Sequence, residues 1–226
     1  MKKHPDQPWV ICTKITDGDS NLLRQFQDTT EKLSMHPTIL LAHSASLYLE
    51  ESFHKDLRSL MEVNSISKSG VSLYTENEIK KIIDSDFKPD IIQLPLNILD
   101  ARFYHNDILK QLTQIGIEIH ARSVFLQGLF YLHISEIKTR FSDALPYLEK
   151  LKSIAIDYGI TLAELSLLWV TGLEEVSKVI IGVDKIGHLK AHLDTLSKQV
   201  NSSVFEEALA INYNNENILN PSLWPK

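Results

Sequence analysis

Side chains able to do chemistry recur in this sequence at one kind of place, the end of a short apolar run. Lys14 follows residues 9–13 (WVICT), and His43 with Ser44 follows residues 38–42 (TILLA). Ser72 closes a weaker run over residues 65–72. Gln93 and Asn97 close the run that opens at Ile91, and Arg122, Ser123 and Gln127 follow residues 117–120. Short buried strands with polar residues at their C-terminal ends are how open α/β sheets and (β/α) barrels present a site. A lysine and a histidine at neighbouring strand ends suit proton transfer, and a lysine there also suits a Schiff base with a carbonyl compound. Residues 178–181 (KVII) end in Gly182-Val183 just before a helical pattern, and free N–H groups at a helix start suit phosphate. The plain alternatives are a solvated lysine, a hydrogen-bonded histidine and an ordinary glycine turn.

The elements that must position these residues follow from periodicity. Strand starts recur near residues 9, 38, 67, 90 and 117, a spacing of roughly 25 to 30 residues that matches a βα unit. Between them, apolar residues at helical spacing predict helices over 21–33 (Leu22, Leu23, Phe26, Leu33), 51–63 (Phe53, Leu57, Leu60, Met61) and 106–115. Asp19 or Ser20 is placed to cap the first, and Gly116 to end the third. Thr75-Glu76-Asn77-Glu78 reads as a capping box ahead of Ile79, Ile82 and Ile83, and Thr161 with Glu164 repeats the device. Further helices are expected over 145–158, 161–171, 185–199 and 203–210, with a sixth strand at 178–181. The tail from Pro221 is expected to pack on the outside. A parallel barrel closes with eight strands in about 250 residues, so six strands predict an incomplete barrel with uncovered end strands.

Composition narrows the partners. A net charge of −6, with Lys and Arg scattered, argues against nucleic acid or an anionic membrane as the main partner. No stretch reaches the roughly 18 consecutive apolar residues of a membrane span. The single cysteine, Cys12, excludes an intramolecular disulfide framework and fits a reducing compartment, so a cytoplasmic location is expected. Among the histidines only His188 and His192 are four apart on one predicted helix, with no cysteine or carboxylate cluster beside them, and no metal site is expected.

From Trp9 onwards the chain resembles the aldo-keto reductases, and most of all a branch found among bacterial envelope and spore-coat sugar biosynthesis proteins. WVICTK resembles the family's third strand, TILLAHS the fourth and GVSLYT the fifth-strand motif. DIIQLPLNILDARF with ARSVFLQGLF is the most specific part. LLWVTGLEEVSKVIIGVDKIGHLKAHL resembles the seventh helix, eighth strand and phosphate-binding turn. The resemblance implies an α/β fold, an incomplete (β/α)8 TIM barrel read as one domain over residues 1–226 and lacking the first two βα units. It implies NADP(H), with NAD(H) as the alternative, and reduction of a small-molecule carbonyl.

It also implies roles residue by residue. Lys14 and His43 match the catalytic lysine and histidine. The family's tyrosine proton donor and its aspartate belong to the missing units, so impaired catalysis is expected. Ser72 and Gln93 match positions that hydrogen-bond the nicotinamide carboxamide, while Leu73 departs from the family's frequent asparagine. Arg122 stands where relatives place a ring that stacks on nicotinamide, and a planar guanidinium can stack similarly. Ser123, Phe125 and Gly128 would line the pyrophosphate path, and Gly182 and Val183 would receive phosphate. Lys185 would contact a 2′-phosphate, a solvated surface lysine being the alternative. Tyr48 and Tyr74 follow strand ends, and both are expected to be packing residues rather than substitute proton donors. The other readings are a non-catalytic nucleotide-binding protein or subunit with a partner chain or oligomer covering its strand edges, and a Schiff-base enzyme using Lys14.

Overall fold

The computed structural model describes residues 9–17, 21–63 and 65–224. The first half alternates strand and helix as its periodicity predicts: β1 (Cys12–Ile15), α1 (Leu22–Leu33), β2 (Ile39–Ala42), α2 (Ala45–Tyr48), α3 (Glu51–Glu62), β3 (Lys68–Ser72), α4 (Glu76–Asp84) and β4 (Ile91–Pro95). Then come α5 (Arg102–His105), α6 (Ile108–Gln114), β5 (Glu118–Arg122), α7 (Ile134–Arg140), α8 (Leu145–Asp157), α9 (Leu162–Thr171), β6 (Val176–Val179), α10 (Ile186–Leu196), α11 (Ser203–Leu209) and α12 (Glu216–Leu219). The six strands form one parallel sheet in chain order, β1 to β6, and among the described residues it does not close on itself. The chain resolves into two compact units, Met1–Leu94 with Leu112–Ile119 and Pro95–Gln111 with His120–Lys226.

In the first unit the ladder register sets which residues share a face. Lys14 pairs with Leu41, Leu41 with Gly70, and Gly70 with Ile91; two residues further on, Ser72 pairs with Gln93. Side chains alternate faces along a strand, so Lys14, Leu41, His43, Gly70, Ser72, Ile91 and Gln93 lie on one face. Leu40, Ala42, Ser69, Val71 and Ile92 lie on the other. Both faces are buried from β2 to β4, as continuous apolar strands of a parallel sheet require. Gly70 has a steric cause: a Cβ there would stand 2.3 Å from the Ile91 carbonyl oxygen and 2.6 Å from Leu41 Cδ2.

Several boundaries differ from the sequence reading. β1 starts at Cys12 rather than Trp9, because the Ile11 carbonyl already accepts from the Thr38 and Ile39 amides at the start of β2. Trp9 and Val10 therefore extend past the ladder and are exposed. The N-cap of α1 is Asn21, which accepts from the Arg24 amide, while Asp19 and Ser20 lie outside the described residues. The helix expected over 106–115 begins earlier and breaks at Asp107, whose φ of 56° stops α5 before α6 begins. Gly116 takes the left-handed conformation expected of it, at φ 80°. Strand β6 lies two residues earlier than expected, since its central Ser177 and Lys178 are exposed and no apolar run marks it. The one-turn α2 and helix α7, capped by His133, were not expected from periodicity. Both capping boxes, Thr75 with Glu78 and Thr161 with Glu164, are formed.

In the second unit, α8 packs against α7, α9 and α11, and α9 packs against β6 and α10. No single helix among the described residues is long and apolar enough to cross a membrane.

Replacing Gly70 with alanine pushes a methyl group into the β4 backbone, which cannot yield as a flexible side chain can. The expected cost is roughly 1–3 kcal/mol, read as a lower urea midpoint with an unchanged slope. Wild-type stability in this variant would show that the β3–β4 pairing is looser than described.

Candidate active site

In the first unit the candidate residues gather on the Lys14 face. The Lys14 ammonium donates to the Ser72 hydroxyl at 3.3 Å, reaching across β2. Its path lies over the row where Gly70 has no side chain. Ser72 and Gln93 pair in register and are 3% and 4% exposed, so any group they bind must reach the sheet face itself. Lys14 does not close its strand as the sequence suggested: it is the third residue of β1, and Ile15 follows it in the ladder. His43 sits one residue beyond β2, its amide donating to the Ile15 carbonyl, with an exposed ring. Lys14 and His43 therefore stand on one face but offset diagonally, roughly 8 Å apart along the sheet rather than one strand spacing. Beside His43 the Ser44 hydroxyl donates to the Asp17 carboxylate at 2.8 Å, so a fixed negative charge stands at this end of β1 and β2.

Tyr48 is on the other face. It lies on α2, 1% exposed, with its hydroxyl against Ser69, and burial pushes its pKa up to about 12. Its ring packs edge-on against His54 at 4.8 Å, and His54 in turn stacks on Phe87 at 3.6 Å. Burial lowers the His54 pKa. Ser69 also donates to Asp90 through its backbone amide and its hydroxyl. These contacts, centred on the buried Tyr48, His54 and Ser69, hold α2 and α3 to the sheet. The Tyr74 amide donates to Glu78 within the capping box that starts α4.

In the second unit the candidates form another group. Arg122 ends β5, and its guanidinium donates to the Ser123 hydroxyl at 3.3 Å. From there the chain makes a run of left-handed turns: Ser123 (φ 59°), Leu126 (43°), Gln127 (52°) and Gly128 (88°). Non-glycine residues in this region cost about 1–3 kcal/mol each and persist where neighbours over-determine them. Those neighbours are buried. The Asn97 amide group donates to the Ser123 carbonyl, and its oxygen accepts from the Leu99 and Asp100 amides. The Ser166 hydroxyl on α9 donates to the Val124 carbonyl and accepts from the Ile98 amide. The Phe125 ring stacks on His192 of α10 at 4.9 Å, which sets the loop against that helix. Burial and the neighbouring His188 lower the His192 pKa.

The Ile180 amide donates to the Ala121 carbonyl, so the turn after β6 opens beside the end of β5. That turn carries Gly182, Val183 and Lys185, all exposed, and leads into α10, whose N-cap residue Lys185 makes no side-chain capping bond. A Cβ at Gly182 would meet nothing within 4 Å, and its φ is not left-handed, so neither packing nor backbone requires glycine there. Gly182 stands four residues ahead of Ile186, where α10 begins without a side-chain cap.

Sequence reasoning noted Asn97 but gave it no role, and it missed Ser166 and Asp100. Ser166 gave no signal, because a lone serine inside an apolar helix is ambiguous until its partners are known. Asp100 is fully buried and ion-paired with Arg102 at 3.1 Å. Burial nonetheless pushes its carboxyl up to about 6 against the pull of Arg102 and, less strongly, Arg122. Arg102 also pairs with Glu216 of α12 at 3.5 Å. A cleft of about 170 Å³ opens beside Arg102, lined also by His105, Tyr213 and Glu216, and none of the sequence-derived candidates lines it.

The family model described as "Aldo/keto reductase family" matches residues 1–212. A search of curated protein sequences finds no match. Among solved structures the chain is similar to the aldo-keto reductase AKR11C1 from Bacillus halodurans in its holo form, at 17% identity and a TM-score of 0.75, over 94% of this chain and 75% of that one. The apo form gives 16% identity and a TM-score of 0.74 with the same coverage. The thermostable aldo-keto reductase Tm1743, solved with the inhibitor epalrestat, gives 19% identity and a TM-score of 0.69 over 89% of this chain and 71% of that one.

The raised Asp100 pKa sets a pH dependence. Its folded value of about 6 lies above the ordinary aspartate value, so between about pH 4 and 6 the folded state holds a proton that the unfolded chain has lost. Stability from this group is full below about pH 4 and is lost as pH rises through 6, by at most about 3 kcal/mol. Urea unfolding of wild type and Asp100→Asn between pH 4 and 7 should show the asparagine variant gaining relative stability as pH rises. Parallel curves would place the Asp100 titration elsewhere.

Proposed function

Because the chain belongs to the aldo/keto reductase family, we propose that it is an oxidoreductase acting on a small-molecule carbonyl or aldehyde with NADP(H), or with NAD(H) in its place. The observation that carries this proposal is the Lys14 to Ser72 contact, on the sheet face that also holds His43 and the buried Gln93. A lysine ammonium beside a proton donor lowers that donor's pKa. His43, exposed and two residues further along that face, is suited to orient a carbonyl oxygen.

A nicotinamide dinucleotide is the cofactor in this proposal. Ser72 and Gln93 would hold the carboxamide, and Arg122 would lie flat against the ring. Ser123, Phe125 and Gly128 would line the pyrophosphate. The amides at Gly182 and Val183 would receive phosphate, and Lys185 would meet a 2′-phosphate. Two observations support this placement: the left-handed turns after Ser123, held by Asn97 and Ser166, and the glycine at 182 that packing does not require. The chemistry such a dinucleotide supplies is hydride transfer to a carbonyl carbon.

Catalysis by this chain alone is weak in this proposal, because the proton donor is the part least provided for. Tyr48 stands on the opposite sheet face against Ser69. The sheet edges at β1 and β6 support a second possibility, that the chain is a nucleotide-binding subunit whose edges another chain covers. Residues 1–226 are taken as one reductase-like domain, working in the cytoplasm.

Titration should give measurable NADPH binding with carbonyl reduction near background. Removing the carboxamide contacts with Ser72→Ala and Gln93→Ala together should weaken NADPH about ten-fold or more, at about 1 kcal/mol per hydrogen bond. Lys185→Ala should weaken NADPH and leave NADH unchanged. Full turnover by the chain alone would overturn the assignment of weak catalysis. Undiminished NADPH binding in the double variant would remove Ser72 and Gln93 from the site.

A further inference from the structure

Beyond the end of β4, three successive residues hold three successive carbonyls at the end of β5. The Leu96 amide donates to the Arg122 carbonyl at 3.0 Å, as in a continuing ladder, and the Asn97 side chain donates to the Ser123 carbonyl at 3.1 Å. The third link is indirect. The Ile98 amide donates at 3.2 Å to the Ser166 hydroxyl, which in turn donates at 2.7 Å to the Val124 carbonyl. Ile98, Val124 and Ser166 are all buried, so bulk water does not reach these groups, and losing the hydroxyl would leave a donor and an acceptor unpaired.

Ser166 lies inside α9, among the buried Leu165, Leu167, Trp169 and Val170. A serine in a helix interior commonly turns its hydroxyl back to the carbonyl four residues earlier. A hydroxyl has one proton, and Ser166 gives it to Val124 instead. Helix α9 also packs against β6 and α10, the elements on either side of the turn that carries Gly182 and Val183. One hydroxyl therefore joins the helix behind that turn to the left-handed loop that begins at Ser123. Strained backbone of this kind keeps its shape only while its neighbours hold it.

We infer that Ser166 is a positioning residue for the dinucleotide, fixing the loop from Ser123 to Gly128 relative to the turn at Gly182 and Val183 so that both can engage one molecule. This rests on the nucleotide reading of those two segments and adds to it the residue that sets their spacing. The consequence is selective. Loss of the hydroxyl releases the loop, which serves the pyrophosphate, and spares the turn, which serves the phosphates of the adenosine end.

The test titrates the full chain, as wild type, Ser166→Ala and Ser166→Cys, with NADPH and with adenosine 2′,5′-bisphosphate, and follows hydrogen exchange over residues 122–131. Ser166→Ala should weaken NADPH roughly ten-fold, the scale of one hydrogen bond, and leave the bisphosphate within about two-fold. Exchange should quicken over 122–131, where the Leu126 and Gly128 amides bond within the loop, and stay unchanged in α8. Ser166→Cys, with a weaker donor, should fall between wild type and alanine in both measurements. An alanine variant that binds NADPH as wild type does would overturn the inference. So would an equal loss of both ligands, because general destabilisation weakens both. Wild type that binds neither ligand would overturn the nucleotide reading, and exchange over 122–131 would still decide whether Ser166 holds the loop.

Discussion

The register of the parallel ladder from β1 to β4 is the constraint on which the candidate site in the first unit depends. Side chains alternate faces with a period of two, so a slip of one residue would move Lys14, Ser72 and Gln93 to the opposite side of the sheet. Gly70 pins that register sterically, with its missing side chain filled by Leu41 and the Ile91 carbonyl. On the other face Ser69, Asp90 and Tyr48 form a hydrogen-bonded group that tolerates no slip without leaving buried polar atoms unpaired. The same ladder that makes the core also delivers a lysine, a hydroxyl and an amide to one face.

The second unit uses a different device for the same end. Its loop after β5 holds several left-handed residues, which a free loop would not keep. Asn97 and Ser166 hold it from two directions, one from the end of β4 and one from α9. Both side chains are fully buried, so their bonds form in a low-dielectric setting where an unmade bond is costly. The strain in this backbone is offset by satisfied buried groups, and the resulting turn sets the Phe125 ring against His192.

Asp100 departs from well-paired burial. Its carboxyl is raised toward 6 although Arg102 stands at 3.1 Å, because loss of hydration outweighs one nearby cation. A carboxylate kept under such tension next to the Asn97 turn is a cost in the folded state. Arg102, held between Asp100 and Glu216, ties α12 to the start of α5.

The amino-acid sequence by itself determined the alternation of strands and helices, the two capping boxes, the left-handed Gly116 and the polar ends of the strands, because each is a local pattern of residue types. Its motifs also carried the resemblance that the family model bears out over residues 1–212. Tertiary structure alone decided where β1 begins, since that depends on which residues of β2 stand opposite it. It decided that Lys14 lies within its strand and diagonal to His43, and that Tyr48 points to the other face. It decided the roles of Asn97, Ser166 and Asp100, whose partners are distant in sequence or depend on burial. Periodicity records which residues are apolar and how far apart they stand. Register, burial and long-range hydrogen bonds depend on what the rest of the chain places opposite, and no window of neighbouring residues contains that information.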